Sequence, residues 1–400
     1  MSNQSTSVRN ESTLSLIIAV GLLAMMGGAL IGPVLEAVGT HFSVQKERVG
    51  LIFVTYGLTA LLSLPFLGFL TDRIGRKKVL IPSLLLYGTA GVSCIFAPSF
   101  NSLLFARALQ GIGIAGMAPI TITLIGDFYG GLEKIRAMGT FSGLLAVGGV
   151  VAPLLGGGLA DISWQLPFAI YFISIPLAIV VWIWLPAPQI SRISLKEYLD
   201  PIKASLTNVR TLAILFSNFL AFFLLYTIVT YIPLFLFENY GISRTLAGIF
   251  LAMQGVTVAL VSIKADRIVE KIPQAGAICI GFLITGLSLF FMPLSLPLGL
   301  IAVPLGVFGA GRGLIQPQIN SIVTEVAPTG RLGGIVSIYN MMKYGGQMSA
   351  PLLLGFVLAY GGYNAVFEVA GIISLIAFGV ALVGCGSERR RRTITEVKSR

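Results

Sequence analysis

Charged residues are scarce in this chain, only 11% of 400, so the positions they occupy carry most of its chemical information. Five of them (Asp72, Arg73, Arg76, Lys77 and Lys78) crowd into the stretch Gly68-Phe-Leu-Thr-Asp-Arg-Ile-Gly75-Arg-Lys-Lys-Val-Leu80, between two apolar runs. Three more, Arg107, Arg312 and Lys343, lie inside apolar runs. A cation at the centre of a membrane span costs about 2.5–3.5 kcal/mol on insertion scales, so it normally faces a cavity or a partner. A third pattern sets small residues around a proline, Gly148-Gly-Val-Val-Ala152-Pro153-Leu-Leu-Gly156-Gly157-Gly158. Small side chains let helices approach closely, and proline frees a backbone bond and bends the helix. These patterns suit the binding and gating of charge within a membrane. They do not suit bond-making. One histidine (His41), three cysteines (Cys94, Cys279, Cys385) without metal or disulfide spacing, and no acids clustered within a span leave little for catalysis. Neither enzymatic activity nor a cofactor is expected.

The elements that must position these residues follow from hydropathy. A content of 56% hydrophobic residues and a mean hydropathy of +0.91 exclude a soluble globular class. A helix needs about 20 apolar residues to cross the hydrocarbon core. On that measure the sequence predicts helices 1 to 12 at 14–35, 49–70, 78–97, 102–125, 137–159, 166–185, 211–236, 245–264, 275–294, 298–322, 333–358 and 364–385. The first apolar run is too long for a signal-peptide core and is expected to stay as helix 1. A polar tail (1–13) precedes a six-helix half (14–185). A Lys-, Ser- and Pro-rich linker (186–210), amphipathic over Leu195–Leu206, leads to a second half (211–385) and a basic tail (386–400).

The net charge of +11 taken alone would point to nucleic acid, but its distribution does not. With both ends in the cytoplasm, all but six of the 27 Lys and Arg fall on that side; Lys46, Arg48 and Arg244 lie outside, and the three deep cations lie within helices. That asymmetry is the positive-inside rule, and it predicts a multi-pass cell-membrane protein whose tail meets anionic lipid. The two halves also repeat. A displacement of 198 residues aligns Gly111 with Gly309, Gly113 with Gly311, Pro119 with Pro317, Gly148 with Gly346, and Ala152-Pro153-Leu-Leu with Ala350-Pro351-Leu-Leu. A degenerate copy of the charged loop falls at Lys264-Ala-Asp266-Arg267.

The charged loop matches G-x-L-x-D-R-x-G-R-[KR] without a gap, and so resembles the signature loop of the major facilitator superfamily. Arg107-Ala-Leu-Gln110-Gly111-Ile-Gly113 resembles the superfamily's second motif. The helix 5 pattern resembles its antiporter motif, with Ala152 in place of the central glycine. The resemblance spans essentially the whole chain, closest to the twelve-helix drug/proton antiporters. It implies an all-α membrane fold of two pseudo-symmetric six-helix bundles with a central site and alternating access. It further implies that Asp72, with Arg73 and the glycines Gly68 and Gly75, forms a cytoplasmic gate near the start of helix 11. Arg76 has Asp127 as its expected partner, and Gly148, Ala152, Pro153, Gly156 and Gly157 form a sealing seam. Arg107 is implied in proton coupling, through a titrating acid or the backbone of helix 1.

Here the sequence departs from the pattern: helix 1 holds no mid-span acid. Glu36 at its outer end is the first candidate to titrate, and a capping glutamate is the alternative. Residues expected to line the pocket are Gln110, Tyr226, Gln254, Arg312, Gln316, Asn340 and Lys343. Three deep cations without an acid at that depth predict substrates bearing an acidic or electron-rich group, held by Arg312 and Lys343. The other possibility is that both cations bond to carbonyls. The leading expectation is proton-driven efflux of small amphipathic compounds by a single chain. Proton-coupled uptake or exchange of an organic anion or metabolite is the alternative. A membrane enzyme or sensor is a distant third.

Overall fold

The computed structural model describes residues 2–186, 209–264, 268, 270, 272–294, 297–326 and 332–398. All regular structure among them is helical. The bilayer core offers no water to backbone N–H and C=O groups, so each apolar run must satisfy them internally as a helix. Eleven described segments are long and apolar enough to cross. They are α1 (Ser12–Phe42), α2 (Lys46–Ile74), α3 (Arg76–Phe96), α4 (Phe100–Phe128), α5 (Gly131–Ile162), α6 (Leu166–Trp184), α7 (Val209–Tyr240), α8 (Arg244–Ile263), α9 (Gln274–Phe291), α10 (Leu298–Val323) and the long run Val336–Leu382. Gly362, at φ 67°, breaks that run. Its arms, α11 (336–361) and α12 (363–382), are each long enough for a crossing of about 20 residues. Large apolar side chains such as Phe66, Trp182 and Phe356 are about two-thirds exposed, as lipid-facing residues would be.

Several predicted boundaries move outward. Helix runs from Ser2 to Ala29 and from Leu332 to Lys398, so the predicted tails are helical where described. The linker's amphipathic stretch, and Ala265–Arg267 of the second loop copy, lie outside the described residues.

The chain divides into two compact units. One comprises Met1–Leu199 with Val229–Ala252, the other Asp200–Ile228 with Met253–Arg400. The first unit is therefore discontinuous: the outer parts of α7 and α8 belong with the first-half helices. Glycines explain why. A Cβ on Gly32 of α1 would come within 2.8 Å of the Val229 carbonyl oxygen, and one on Gly157 of α5 within 2.3 Å of the Arg244 carbonyl oxygen. On α8, a Cβ on Gly248 would sit 2.4 Å from the Pro153 carbonyl oxygen.

The repeat reappears as equivalent contacts inside each unit. Gly111 of α4 presses on Tyr56 O and Thr59 Oγ1 of α2, while Gly309 of α10 presses on Gln254 O and Thr257 Oγ1 of α8. Gly113 meets Ser83 O and Tyr87 N of α3, and Gly311 meets Gly281 O and Thr285 N of α9. Every pair keeps the 198-residue displacement. The glycines stand where two backbones approach too closely for any side chain.

Candidate functional site

The charged loop is a single residue long. α2 ends at Ile74, α3 begins at Arg76, and Gly75 between them takes φ 102° and ψ 146°, a conformation essentially confined to glycine. The charges thus sit on helix ends rather than in a loop. Arg76 forms an ion pair with Asp127 and donates to the Thr123 carbonyl at 3.0 Å, tying α3 to the end of α4. Arg73 is exposed, its guanidinium 5.9 Å from the centroid of the Phe69 ring. Gly68 and Asp72 are half-buried on α2. Residues 327–331 and the side chains at the start of helix 11 lie outside the described residues.

Arg107 is fully buried in the first unit. It donates from Nη2 to the Gly27 carbonyl of α1 at 2.8 Å and from Nη1 to Gln110 Oε1, and its guanidinium lies 4.5 Å from the Tyr56 ring centroid. Tyr87 and Tyr171 donate to the neighbouring Leu23 and Met26 carbonyls. A Cβ on Gly27 would lie 2.4 Å from the Tyr56 hydroxyl oxygen, so only glycine lets α1 reach this position. Carbonyls and a ring face offset the charge; among the described residues no carboxylate lies within ion-pair distance, and Arg107 Nε and Gln110 Nε2 have no partner.

The antiporter-like seam also lies within the first unit. Gly148 faces Leu22 of α1, and Gly156 closes on the Leu30 carbonyl. Ala152 is buried, and Pro153 and Gly157 meet Gly248 and Arg244 of α8. At the outer end of this seam stands an ionic cluster. Glu36 is 8% exposed, accepts from Thr40 Oγ1 at 2.7 Å and pairs with Arg244 Nε at 2.7 Å. Asp161 caps α8: its two oxygens accept from the backbone N–H groups of Arg244 and Thr245, each at 3.0 Å, and from Thr245 Oγ1 at 2.6 Å. A carboxylate at a helix start gains from unpaired N–H groups and the dipole. Lys46 and Glu238 make a more exposed pair at 2.6 Å, worth about 0.2–1 kcal/mol. Glu36, the first candidate from sequence to titrate, with a capping glutamate as the alternative, is a bonded member of this cluster. Sequence reasoning did not assemble this cluster, since 83 and 208 residues separate Arg244 from its partners Asp161 and Glu36.

The second unit assembles a different site from α7, α10 and α11. Arg312, 6% exposed, donates from Nη1 to the Ala221 carbonyl, and its Nε has no partner. Its guanidinium lies 5.3 Å from the Phe222 ring centroid. Lys343, half-buried, places Nζ 5.4 Å from the same centroid and 5.3 Å from that of Tyr344. Neither cation has a carboxylate within ion-pair distance among the described residues. Gln316, one turn from Arg312, donates to Tyr339 Oη at 2.8 Å and Asn320 Oδ1 at 3.1 Å, and Tyr339 donates to Asn320 at 2.7 Å. Asn218 of α7 donates to the Tyr339 carbonyl. Phe222 and Tyr339 were missed by sequence reasoning; each lies four residues from an expected lining residue, Tyr226 and Lys343, on the same helix face. Tyr226 is buried nearby in sequence on α7. Two other expected lining residues do not join the cluster through the bonds seen: Asn340 donates to Val336 of its own helix, and the Gln254 backbone packs under Gly309.

Comparison with known proteins agrees with this architecture. The profile described as Major Facilitator Superfamily matches residues 17–351. The chain is 28% identical to the bacillibactin exporter of Bacillus subtilis (strain 168), over 91% of this chain and 94% of that protein. It is 26% identical to the 3-(3-hydroxy-phenyl)propionate transporter of Escherichia coli (strain K12), over 97% and 98%. Among solved structures, it superposes with TM-score 0.80 and 18% identity on a bacterial homologue of the human lysosomal transporter Spinster, covering 94% of this chain and 97% of that one. A profile match across most of the chain, three motifs in register and a shared fold lead to one conclusion: the chain belongs to the Major Facilitator Superfamily and is a multi-pass membrane transporter.

Proposed function

We propose that this transporter exports small amphipathic compounds in exchange for protons, working by alternating access in the cell membrane as a single chain. The observation that carries this reading is the glycine seam of α5 on α8, where backbones touch at Gly157 and Gly248 with no room for a side chain. A seam packed this closely restricts leak, which an exchanger must suppress. The similarity to a bacillibactin exporter agrees with the direction. Asp72 is proposed as the cytoplasmic latch, set beside the one-residue turn at Gly75. Proton coupling is proposed to involve Arg107, which grips α1 at Gly27, and Glu36, which pairs with Arg244.

A second reading, uptake or exchange of an organic anion, is favoured by the paired cations Arg312 and Lys343 and by the similarity to a hydroxyphenylpropionate transporter. Purified protein in proteoliposomes under an imposed pH gradient separates the two. Export by exchange gives uphill accumulation of substrate on the more acidic side, and loss of that accumulation in Glu36→Gln. Movement of substrate together with protons replaces the first reading with the second.

A further inference from the structure

The second unit holds a polar arrangement that its own structure leaves unfinished. Two cations converge on one aromatic ring, so Arg312 and Lys343 stand within the sum of 5.3 and 5.4 Å of each other. Like charges at that range repel, and no carboxylate among the described residues intervenes. Arg312 is more than nine-tenths buried, yet it makes one hydrogen bond and leaves its Nε–H without an acceptor. Lys343 makes no hydrogen bond among the described residues; its contacts are the faces of Phe222 and Tyr344. A ring face offsets part of a cation's desolvation but gives no acceptor to its N–H groups.

One helical turn along α10 the polarity reverses. Gln316 uses its amide nitrogen on Tyr339 and Asn320, while its buried Oε1 has no donor. Four residues of helix rise about 6 Å, so a donor-rich end and an acceptor end are separated by roughly that distance. The flanking Tyr339–Asn320 bond and the Asn218 bond to the Tyr339 backbone hold the acceptor end in place. Buried polar atoms without partners are rare in native proteins, and a cluster of complementary ones in a transporter calls for a ligand that completes them.

We infer that α7, α10 and α11 form the recognition site for an aromatic carboxylate bearing a hydroxyl group, with the carboxylate between Arg312 and Lys343 and the hydroxyl donating to Gln316. Arg312 supplies the directional contact, since its Nε–H and free Nη–H groups match a carboxylate's two oxygens. Lys343 adds charge without fixed geometry. Phe222, already the shared platform for both cations, gives the substrate ring an apolar wall. This inference rests on the transporter reading and names the substrate class that Arg312 and Lys343 select. It does not depend on the direction of transport.

The test is equilibrium binding to the full-length protein in lipid nanodiscs, using four matched probes: 4-hydroxyphenylacetate, its primary amide, tyramine and phenylacetate. Wild type is expected to bind 4-hydroxyphenylacetate about tenfold or more tightly than the amide or tyramine, and several-fold more tightly than phenylacetate. Arg312→Gln is expected to erase the preference over the amide, by weakening binding of 4-hydroxyphenylacetate about tenfold more than binding of the amide. Arg312→Lys is expected to retain part of it, and Gln316→Leu to erase only the preference over phenylacetate. Thermal melting of each variant establishes that it is folded. Tightest binding of tyramine, equal binding of the three charge states, no binding of any probe, or an unchanged ranking in folded Arg312→Gln overturns the inference. The proton-exchange reading is tested independently, by flux under a pH gradient. Selective binding without gradient-driven flux removes that reading and leaves the recognition site standing.

Discussion

Arg107 in the first unit and Arg312 in the second are both buried arginines on helices that the 198-residue repeat makes equivalent, and each leaves its Nε–H without a partner among the described residues, yet they are bonded to different extents. Arg107 is engaged: a carbonyl of α1 and the amide of Gln110 take two of its donors, and Tyr56 covers its face. Arg312 has one carbonyl, a ring it shares with a second cation, and no further acceptor among the described residues. The scaffolds beneath them match contact for contact, down to the glycines that seat α4 on α2 and α10 on α8. What differs is the polar lining laid over a common frame. The first unit's arginine joins α4 to α1 and also bonds Gln110; the second's joins α10 to α7 by one bond.

That contrast can be broken most directly at Arg107. Arg107→Ala strips Gly27 and Gln110 of their donor and is expected to abolish gradient-driven transport and to lower the melting temperature in detergent by several degrees. Transport at wild-type rate would show that the grip on α1 is dispensable. Lysine substitutions sharpen the comparison. Arg107→Lys cannot reproduce two divergent bonds and is expected to lose more than about tenfold in transport, whereas Arg312→Lys, which keeps the charge but not the fork that meets a carboxylate, is expected to lose less, about threefold to fivefold. Equal losses would mean that the two arginines do the same work.

Smaller effects probe the frame itself. Gly111→Ala and Gly309→Ala each push a Cβ to within about 2 Å of a threonine hydroxyl, Thr59 and Thr257 respectively, and each is expected to cost about 1–3 kcal/mol. The two losses, read from melting, are expected to agree closely, because the contacts are copies. Smallest of all, Lys343→Met removes an ammonium without an acceptor from a half-buried position and is expected to raise the melting temperature by a few degrees. A fall would mean that Lys343 holds the helices together after all.

The frame was legible in the sequence because the bilayer acts as a harsh solvent: a run of about 20 apolar residues has few options besides a crossing helix. The glycine repeat was legible too, since Gly111 and Gly309 mark places where backbones touch, and such positions tolerate no other residue. The motif glycine Gly75 likewise announced its turn. The outer ionic cluster was not legible. Glu36 and Arg244 are ordinary surface-type residues in sequence, and only tertiary packing joins them across 208 positions. The same holds for Phe222, one of 25 phenylalanines: its spacing from Tyr226 sets only a helix face, and its place in the site shows when Arg312 and Lys343 arrive over its ring. Helix ends also exceeded expectation, because polar residues such as those of Ser2–Glu11 continue a helix that hydropathy alone truncates.

The discontinuity of the first unit has a consequence for how the protein is made. Helices α1 to α6 leave the ribosome first, but the segment Val229–Ala252 that completes their unit follows later. Until Arg244 is synthesised, Glu36 has Thr40 as its bonding partner and Asp161 lacks the two backbone N–H groups it will cap. The six leading helices must therefore wait in the membrane, unfinished, for a portion of the other half. The chain is read from one end to the other, but it cannot be assembled in that order.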